Sequence, residues 1–333
     1  MLKKGLWLCT KVFVSAGLIA YVLHRVGVAR ALSQIRSAQP EFLGLGVLLF
    51  LASNLLGAYQ WGLLLRVQQI RLPYKTVLSL YLVGVFFNNF MISSVGGDVI
   101  RVYDVRKIAK DGSTAFAATF LDRFIGLFSL ICFSVVAYVA AGTLSRSSWV
   151  GVVIALLALI LLATGAAMLS NRVGSLVEGV VLRLVPSSVG VRVSKVRRSF
   201  YMYRSHLGAL GMAWVVSIGV QLLRVGLHYA AGLSLGVGAG FRYFLVFVPL
   251  IAMAASIPIS FGGIGVRENF GVLLFQRIGV SSTTAFSMEL LAYLLGLIGS
   301  VAGGLIFVFR PALRPGTPEV GVPAVRRQRE QAV

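Results

Sequence analysis

Acidic side chains are scarce in this chain: ten Asp and Glu stand against 31 Lys and Arg, and only 12% of residues are charged at all. So little charge cannot cover the surface of a soluble domain of this length. Cysteine and histidine are rarer still, with two and three copies. Cys9 and Cys132 fall inside apolar runs, so they read as small buried hydrophobes and not as a disulfide framework. The His residues stand apart from one another and no carboxylates cluster at metal spacing, so no metal site and no cofactor is expected. The sequence also lacks Gly-x-Ser-x-Gly, the Gly-x-x-x-x-Gly-Lys phosphate loop and His-Glu-x-x-His. With those devices missing, no catalytic residue is assigned and the chain is not expected to be an enzyme.

What is plentiful is apolar surface: 58% of residues are hydrophobic and the mean hydropathy is +0.89. This is the composition of an all-α, polytopic integral membrane protein. The net charge of +21 gathers in short connections between apolar segments. That is the pattern of loops retained on the cytoplasmic side, and it also attracts anionic lipid headgroups, by roughly 1 kcal/mol per residue near the surface. No basic module interleaved with aromatics stands apart from the spans, so nucleic acid is not an expected partner.

Along the chain, residues 6–23 read as a first span with no small-residue cleavage site after it, and 26–38 as a short interfacial helix. Further spans are expected at 42–65, 115–141, 149–169, 207–231 and 286–309. Residues 76–95 lie between two basic flanks, which predicts a segment that dips into the bilayer and returns. Residues 243–280, broken by Pro249, Pro258 and a Gly cluster, are too interrupted for one straight helix. The expectation is about six to eight membrane helices with two re-entrant or broken elements. Residues 1–310 then form one membrane domain with repeats over 42–141 and 207–309, a basic cytoplasmic loop at 170–206 and a disordered cytoplasmic tail at 311–333. Both termini are expected in the cytoplasm, the host bilayer being the cytoplasmic (inner) membrane.

One pattern occurs twice. Ser94-Val95-Gly96-Gly97-Asp98-Val99-Ile100-Arg101 and Ser260-Phe261-Gly262-Gly263-Ile264-Gly265-Val266-Arg267 share Ser-x-Gly-Gly-x-x-x-Arg, one copy in each half, which points to an inverted internal repeat. The Gly pairs suit a re-entrant turn; they equally suit tight helix packing. Arg101 and Arg267 suit a phosphate beside a helix N-terminus, or serve as membrane anchors. Asp98, Asp122, Glu268 and Glu289 lie in or beside apolar segments, where an unpaired charge costs several kcal/mol. Asp122 with Arg123 or Arg101, and Glu289 with Arg267 or Arg224, are the pairs the sequence offers, as structural ion pairs or as a proton or substrate path. Gln221, Arg224 and His228 share one helical face, and Asn88 and Asn89 precede the first Gly pair, so these residues either line a polar cavity or satisfy broken backbone.

The run Asn88-Asn89, Ser94 to Asp98 and Arg101, then Phe120-Leu121-Asp122-Arg123-Phe124-Ile125-Gly126-Leu127, continues in Pro258, Gly262 to Glu268 and the last span. With these residues the chain resembles the flippase-like family related to the transmembrane region of lysylphosphatidylglycerol synthase, the multiple peptide resistance factor. The resemblance implies a membrane part that moves a polar-headed, phosphate-containing lipid, such as a modified phospholipid or an isoprenoid-linked glycan, with lipid- or glycan-synthesis enzymes as possible partners. The soluble synthase domain of that family is not expected here. A membrane-integral lipid-modifying transferase and a non-catalytic scaffold for envelope lipid synthesis remain the alternatives.

Overall fold

A computed structural model of the chain describes residues 38–90, 96–109, 111–140, 148–184, 187–256 and 265–310, with residues 33 and 36 besides. The expected span at 6–23, the interfacial helix at 26–38 save its last residues, and the tail at 311–333 lie outside the described residues, as do Ser94, Ser260, Gly262 and Gly263. Every regular element described is helical. In chain order these are α1 (Pro40–Val67), α2 (Tyr74–Phe90), α3 (Gly96–Ala109), α4 (Gly112–Ala140), α5 (Ser148–Leu169), α6 (Asn171–Leu184), α7 (Ser187–Tyr201), α8 (Leu207–Ser234), α9 (Phe241–Ser256), α10 (Val266–Phe275) and α11 (Ser282–Phe309). Five of them, α1, α4, α5, α8 and α11, are long and apolar enough to cross a membrane. They match the five described spans that hydropathy predicts.

The frame is the antiparallel pair α1 and α8. Leu49 seats on Gly226, Leu56 on Gly219, and Gly46 faces Leu227, so small residues let the two helices lie close along their length. Gln39 N–H donates to Ser234 O, tying the start of α1 to the end of α8. α4 and α11 pack directly on this frame, and four short helices pack among them. α2 and α3 fold back on each other, α2 packing on α11, while α9 and α10 do likewise with α9 packing on α4. The 170–206 stretch, expected as a loop, is instead the helical pair α6 and α7. Their amphipathic pattern explains this: Val173 and Leu176 are exposed between cations, as in helices that lie along an interface. α5 is the outlying span, with only 6% of its most apolar stretch buried inside the protein.

Packing of the inner helices depends on glycine at a few crossings. A Cβ on Gly303 of α11 would lie 2.0 Å from Leu82 O, so α2 and α11 touch backbone to backbone there. Phe86, Phe87 and Phe307 then close the seam with edge-on contacts.

Candidate functional site

The first repeated motif builds a buried charge cluster. α3 begins at Gly96, so Gly97 is helical and does not supply a left-handed turn. Its role is close approach: a Cβ on Gly97 would fall 1.8 Å from Gly84 O on α2. The crossing brings Asn88 Oδ1 to accept from Gly97 N–H at 2.8 Å, satisfying one of the orphan donors at the start of α3 from the neighbouring helix. Of the two readings of Asn88, this is the one that satisfies backbone; the described contact of Asn89 is its carbonyl, which accepts from Tyr293 Oη at 3.3 Å.

Three residues into α3, Asp98 meets two cations. Arg123 Nε donates to Asp98 Oδ2 at 2.7 Å, and Arg101 Nη1 lies 3.3 Å from Oδ1. Arg101 Nη2 then donates to Asp122 Oδ2 at 2.9 Å. Gln60 of α1 completes Asp122, donating to Oδ1 at 2.9 Å. The guanidinium of Arg101 lies 4.1 Å from the Trp61 ring centre and 4.6 Å from that of Tyr81. Two carboxylates and two guanidinium groups thus balance, with the aromatic rings favouring the buried cation. The expected pair of Asp122 with Arg101 is formed.

Exposure separates the two arginines. The Arg101 side chain is 3% accessible, whereas that of Arg123 is 44% accessible. The two terminal nitrogens of Arg101, read from the sequence as a phosphate ligand or a membrane anchor, hold Asp98 and Asp122, and its guanidinium lies against Trp61.

The second motif is arranged differently. α10 starts only at Val266, so Arg267 stands in its first turn. Gly265 has φ of 85°, a left-handed backbone that favours glycine, and Glu268 Oε2 accepts its N–H at 2.5 Å. Glu268 is 1% exposed, and among the described residues its other oxygen has no hydrogen-bond partner. Arg267 lies over the ring of Tyr293, 5.0 Å from its centre. Tyr293 therefore joins the halves: its ring underlies Arg267 of the second motif and its hydroxyl reaches Asn89, beside the Asn88 that caps the first.

Glu289, wholly buried, does not take Arg267 or Arg224 as its ion-pair partner; His228 Nδ1 of α8 approaches Oε2 at 3.2 Å. The reason is local packing: Gly271 of α10 lies flat on Glu289, where a Cβ would come within 2.4 Å of Cγ, and the carboxylate is turned toward α8. Gln221, seven residues before His228, reaches α4 instead, at Gly126 O, 3.4 Å away. Arg224 between them is half-buried.

Several members of the site carried a signal that motif reading passed over. Gln60 and Trp61 sit inside an apolar span, about two turns before its end, where a polar residue already marks function or pairing. Asp104, 4% exposed, meets Arg310 Nη2 at 2.6 Å, pinning α3 to the end of α11. Among the described residues no group of three or more His, Cys, Asp or Glu could hold a metal ion.

Five apolar spans around inner short helices, with carboxylates and arginines neutralised inside the helix bundle, define an integral, multi-pass, all-helical membrane protein. The chain belongs to the family described as the lysylphosphatidylglycerol synthase TM region, whose pattern matches residues 8–304. It is 22% identical over 320 residues to a UPF0104 membrane protein of Pyrococcus horikoshii, covering 89% of this chain and 95% of the relative. A UPF0104 membrane protein of Methanothermobacter thermautotrophicus is likewise 22% identical, over 317 residues, covering 88% of this chain and 90% of the relative. No solved structure matches.

Proposed function

We propose that the protein is a translocase for a polar-headed, phosphate-bearing membrane lipid. It resides in the cytoplasmic membrane with the α6–α7 pair and both termini on the cytoplasmic side, where Arg172, Arg183, Lys195 and Arg198 meet anionic headgroups. The α2–α3 pair re-enters from that face and the α9–α10 pair from the other, so the two motif copies approach the bilayer interior from opposite sides. The observation that carries the reading is the half-exposed Arg123 held by Asp98 beside the buried Arg101–Asp122 pair. A cation fixed in place yet open to its surroundings can accept a phosphate by exchanging one anionic oxygen for another, at little cost in reorganisation.

In this reading Arg101 positions Asp98 and Asp122, Arg123 meets the headgroup on the first side, and Arg267, with Tyr293 beneath it, meets it on the second. Glu268 and Glu289 keep the second side polar. No nucleotide loop exists in the sequence, so a gradient or the lipid's own distribution supplies the driving force. Lipid- or glycan-synthesis enzymes would supply or consume the cargo.

The test is reconstitution in vesicles containing NBD-labelled phosphatidylglycerol, with dithionite bleaching of the outer leaflet as readout. Arg123→Gln with Arg267→Gln is expected to slow translocation at least about tenfold, the loss of one charge-assisted contact. An unchanged rate in a folded double variant refutes the assignment. Formation of a new lipid by the purified protein, with an activated donor present, would instead identify a transferase.

A further inference from the structure

The two halves match beyond the repeated motif. Helices of 28, 17, 14 and 29 residues (α1 to α4) are followed, after α5–α7, by helices of 28, 16, 10 and 28 (α8 to α11). The short helix α2 packs on α11 while its counterpart α9 packs on α4, the exchange a two-fold relation requires. The two motif copies are 166 residues apart, Arg101 to Arg267, and that shift brings Asp122 of α4 within one residue of Glu289 of α11 and Gln60 of α1 within two of His228 of α8. The sequence separations agree: 62 residues from Gln60 to Asp122, and 61 from His228 to Glu289. Each half therefore holds one buried acid on its last helix, met by a polar side chain about two turns before the end of its first helix.

The chemistry of the two places differs. Asp122 is held by Gln60, which does not ionise, and by Arg101, whose guanidinium keeps its proton in any protein. Glu289 is held by an imidazole, a group that exchanges its proton near neutral pH. We propose that Glu289 and His228 form a proton-binding site that couples proton movement to opening of the second half, the first half being locked in one charge state. This rests on the translocase reading and adds its energy coupling.

The charged and titratable groups around the pair are few. Arg224 stands one turn before His228 on α8, Arg267 and Glu268 lie in the first turn of α10, and Tyr293 follows Glu289 by one turn on α11. Of the other helices packed on α8, α1 and α9 carry charge only near their ends, at Glu41, Arg66 and Arg242, while α4 carries Asp122 and Arg123, already paired in the first cluster; α2, packed on α11, adds Lys75 at its start and Tyr81. With the proton on the imidazole, Glu289 is paired and Gly271 can lie against it. When the proton passes from the imidazole to water, a fully buried carboxylate is left beside a neutral partner. That state is relieved by moving α10 off Glu289 to admit water or a cation.

The protein has three imidazoles, so carbon-13 labelling of His gives a spectrum that His228→Gln assigns directly. Gln is the residue the matching place on α1 already uses against a carboxylate, so the variant keeps a hydrogen-bonding partner for Glu289. In detergent micelles the His228 signal is expected to respond to pH between about 5 and 9, and Glu289→Gln is expected to alter that response. A His228 signal insensitive to pH across that range, or a response untouched by Glu289→Gln, overturns the proposal. In vesicles, the pH dependence of NBD-lipid translocation is expected to vanish in His228→Gln, and its persistence also overturns the coupling. Absence of translocation by the wild-type protein at every pH would sink the translocase reading and with it the coupling, while the micelle titration would still report whether the pair binds a proton.

Discussion

Replacing Arg101 by Met is the sharpest perturbation of the first half. Met approximates the volume, keeps contact with Trp61 and Tyr81, and removes the charge. Asp98 retains Arg123, but Asp122, 7% exposed, is left with only the Gln60 amide. Removing one partner of a buried ion pair costs about 3–5 kcal/mol, and loss of the stacked cation adds about 1–2 kcal/mol, offset in part by sulfur–aromatic contact. The expected destabilisation is therefore about 4 kcal/mol, read from denaturant unfolding in micelles. The second change, Asp122→Asn, removes the stranded charge while an amide can still bond Gln60. The double variant should recover at least about half of the loss, a coupling energy of roughly 2 kcal/mol. Arg123→Gln, at a half-exposed position, should cost about 1 kcal/mol or less. A neutral Arg101→Met, or a double variant as unstable as the single one, would refute the view that Arg101 holds the cluster together.

Glycine substitutions should divide by what faces them. Gly97→Ala and Gly303→Ala each drive a Cβ into a neighbouring carbonyl and should cost about 1–3 kcal/mol or abolish folding, whereas Gly208→Ala and Gly211→Ala, with open space around them, should be neutral or slightly stabilising in the same unfolding assay. Tyr293→Phe keeps the ring beneath Arg267 and loses the bond to Asn89 O, so stability should fall by about 1 kcal/mol while NBD-lipid translocation changes more than stability does; equal effects would argue against Tyr293 as the link between halves. On the α6–α7 pair, the Ser194 hydroxyl above all, with Arg197 helping, holds the Glu178 carboxyl below its ordinary value against the opposing effect of burial. Its contribution is thus present above the ordinary carboxylate range and lost as pH falls through the lowered value, so spin labels at Leu176 and Val191 should separate on acidification in the wild type, and Glu178→Gln should show the wider distance already at neutral pH.

The long spans were legible because a run of apolar residues of sufficient length has few other fates; α1, α4, α5, α8 and α11 all follow from that rule. That 243–280 is no single straight helix was equally visible, from its proline and glycine, and the basic flanks of 76–95 set that segment apart from the long spans. The pairing of charges was legible only in part. Asp122 with Arg101 follows from two opposite charges near one motif, but Glu289 with His228 depends on Gly271 bringing α10 flat onto α11, a three-helix matter that no local pattern records. The function of Gly97 was also hidden, since its partner is a carbonyl of Gly84 in another helix. Identical spacing in the two motifs did not mean identical structure: Arg101 lies within α3 and is buried, while Arg267 sits at the opening turn of α10.

The exchange of α2 onto α11 has a consequence for the order of events on the ribosome. Asn89 and Tyr293 are 204 residues apart. At a synthesis rate of about 5–20 residues per second, α2 waits roughly 10–40 s in the bilayer before its partner emerges. During that interval the aromatic face of Phe86, Phe87 and Phe90, against which Ile100 of α3 packs, and the flat strip that will meet Gly303 lack their cover from α11. The nascent first half is thus an unfinished folding intermediate, and a variant that loosens α11, though far downstream, should show first as degradation of newly made chains before any loss in the mature protein.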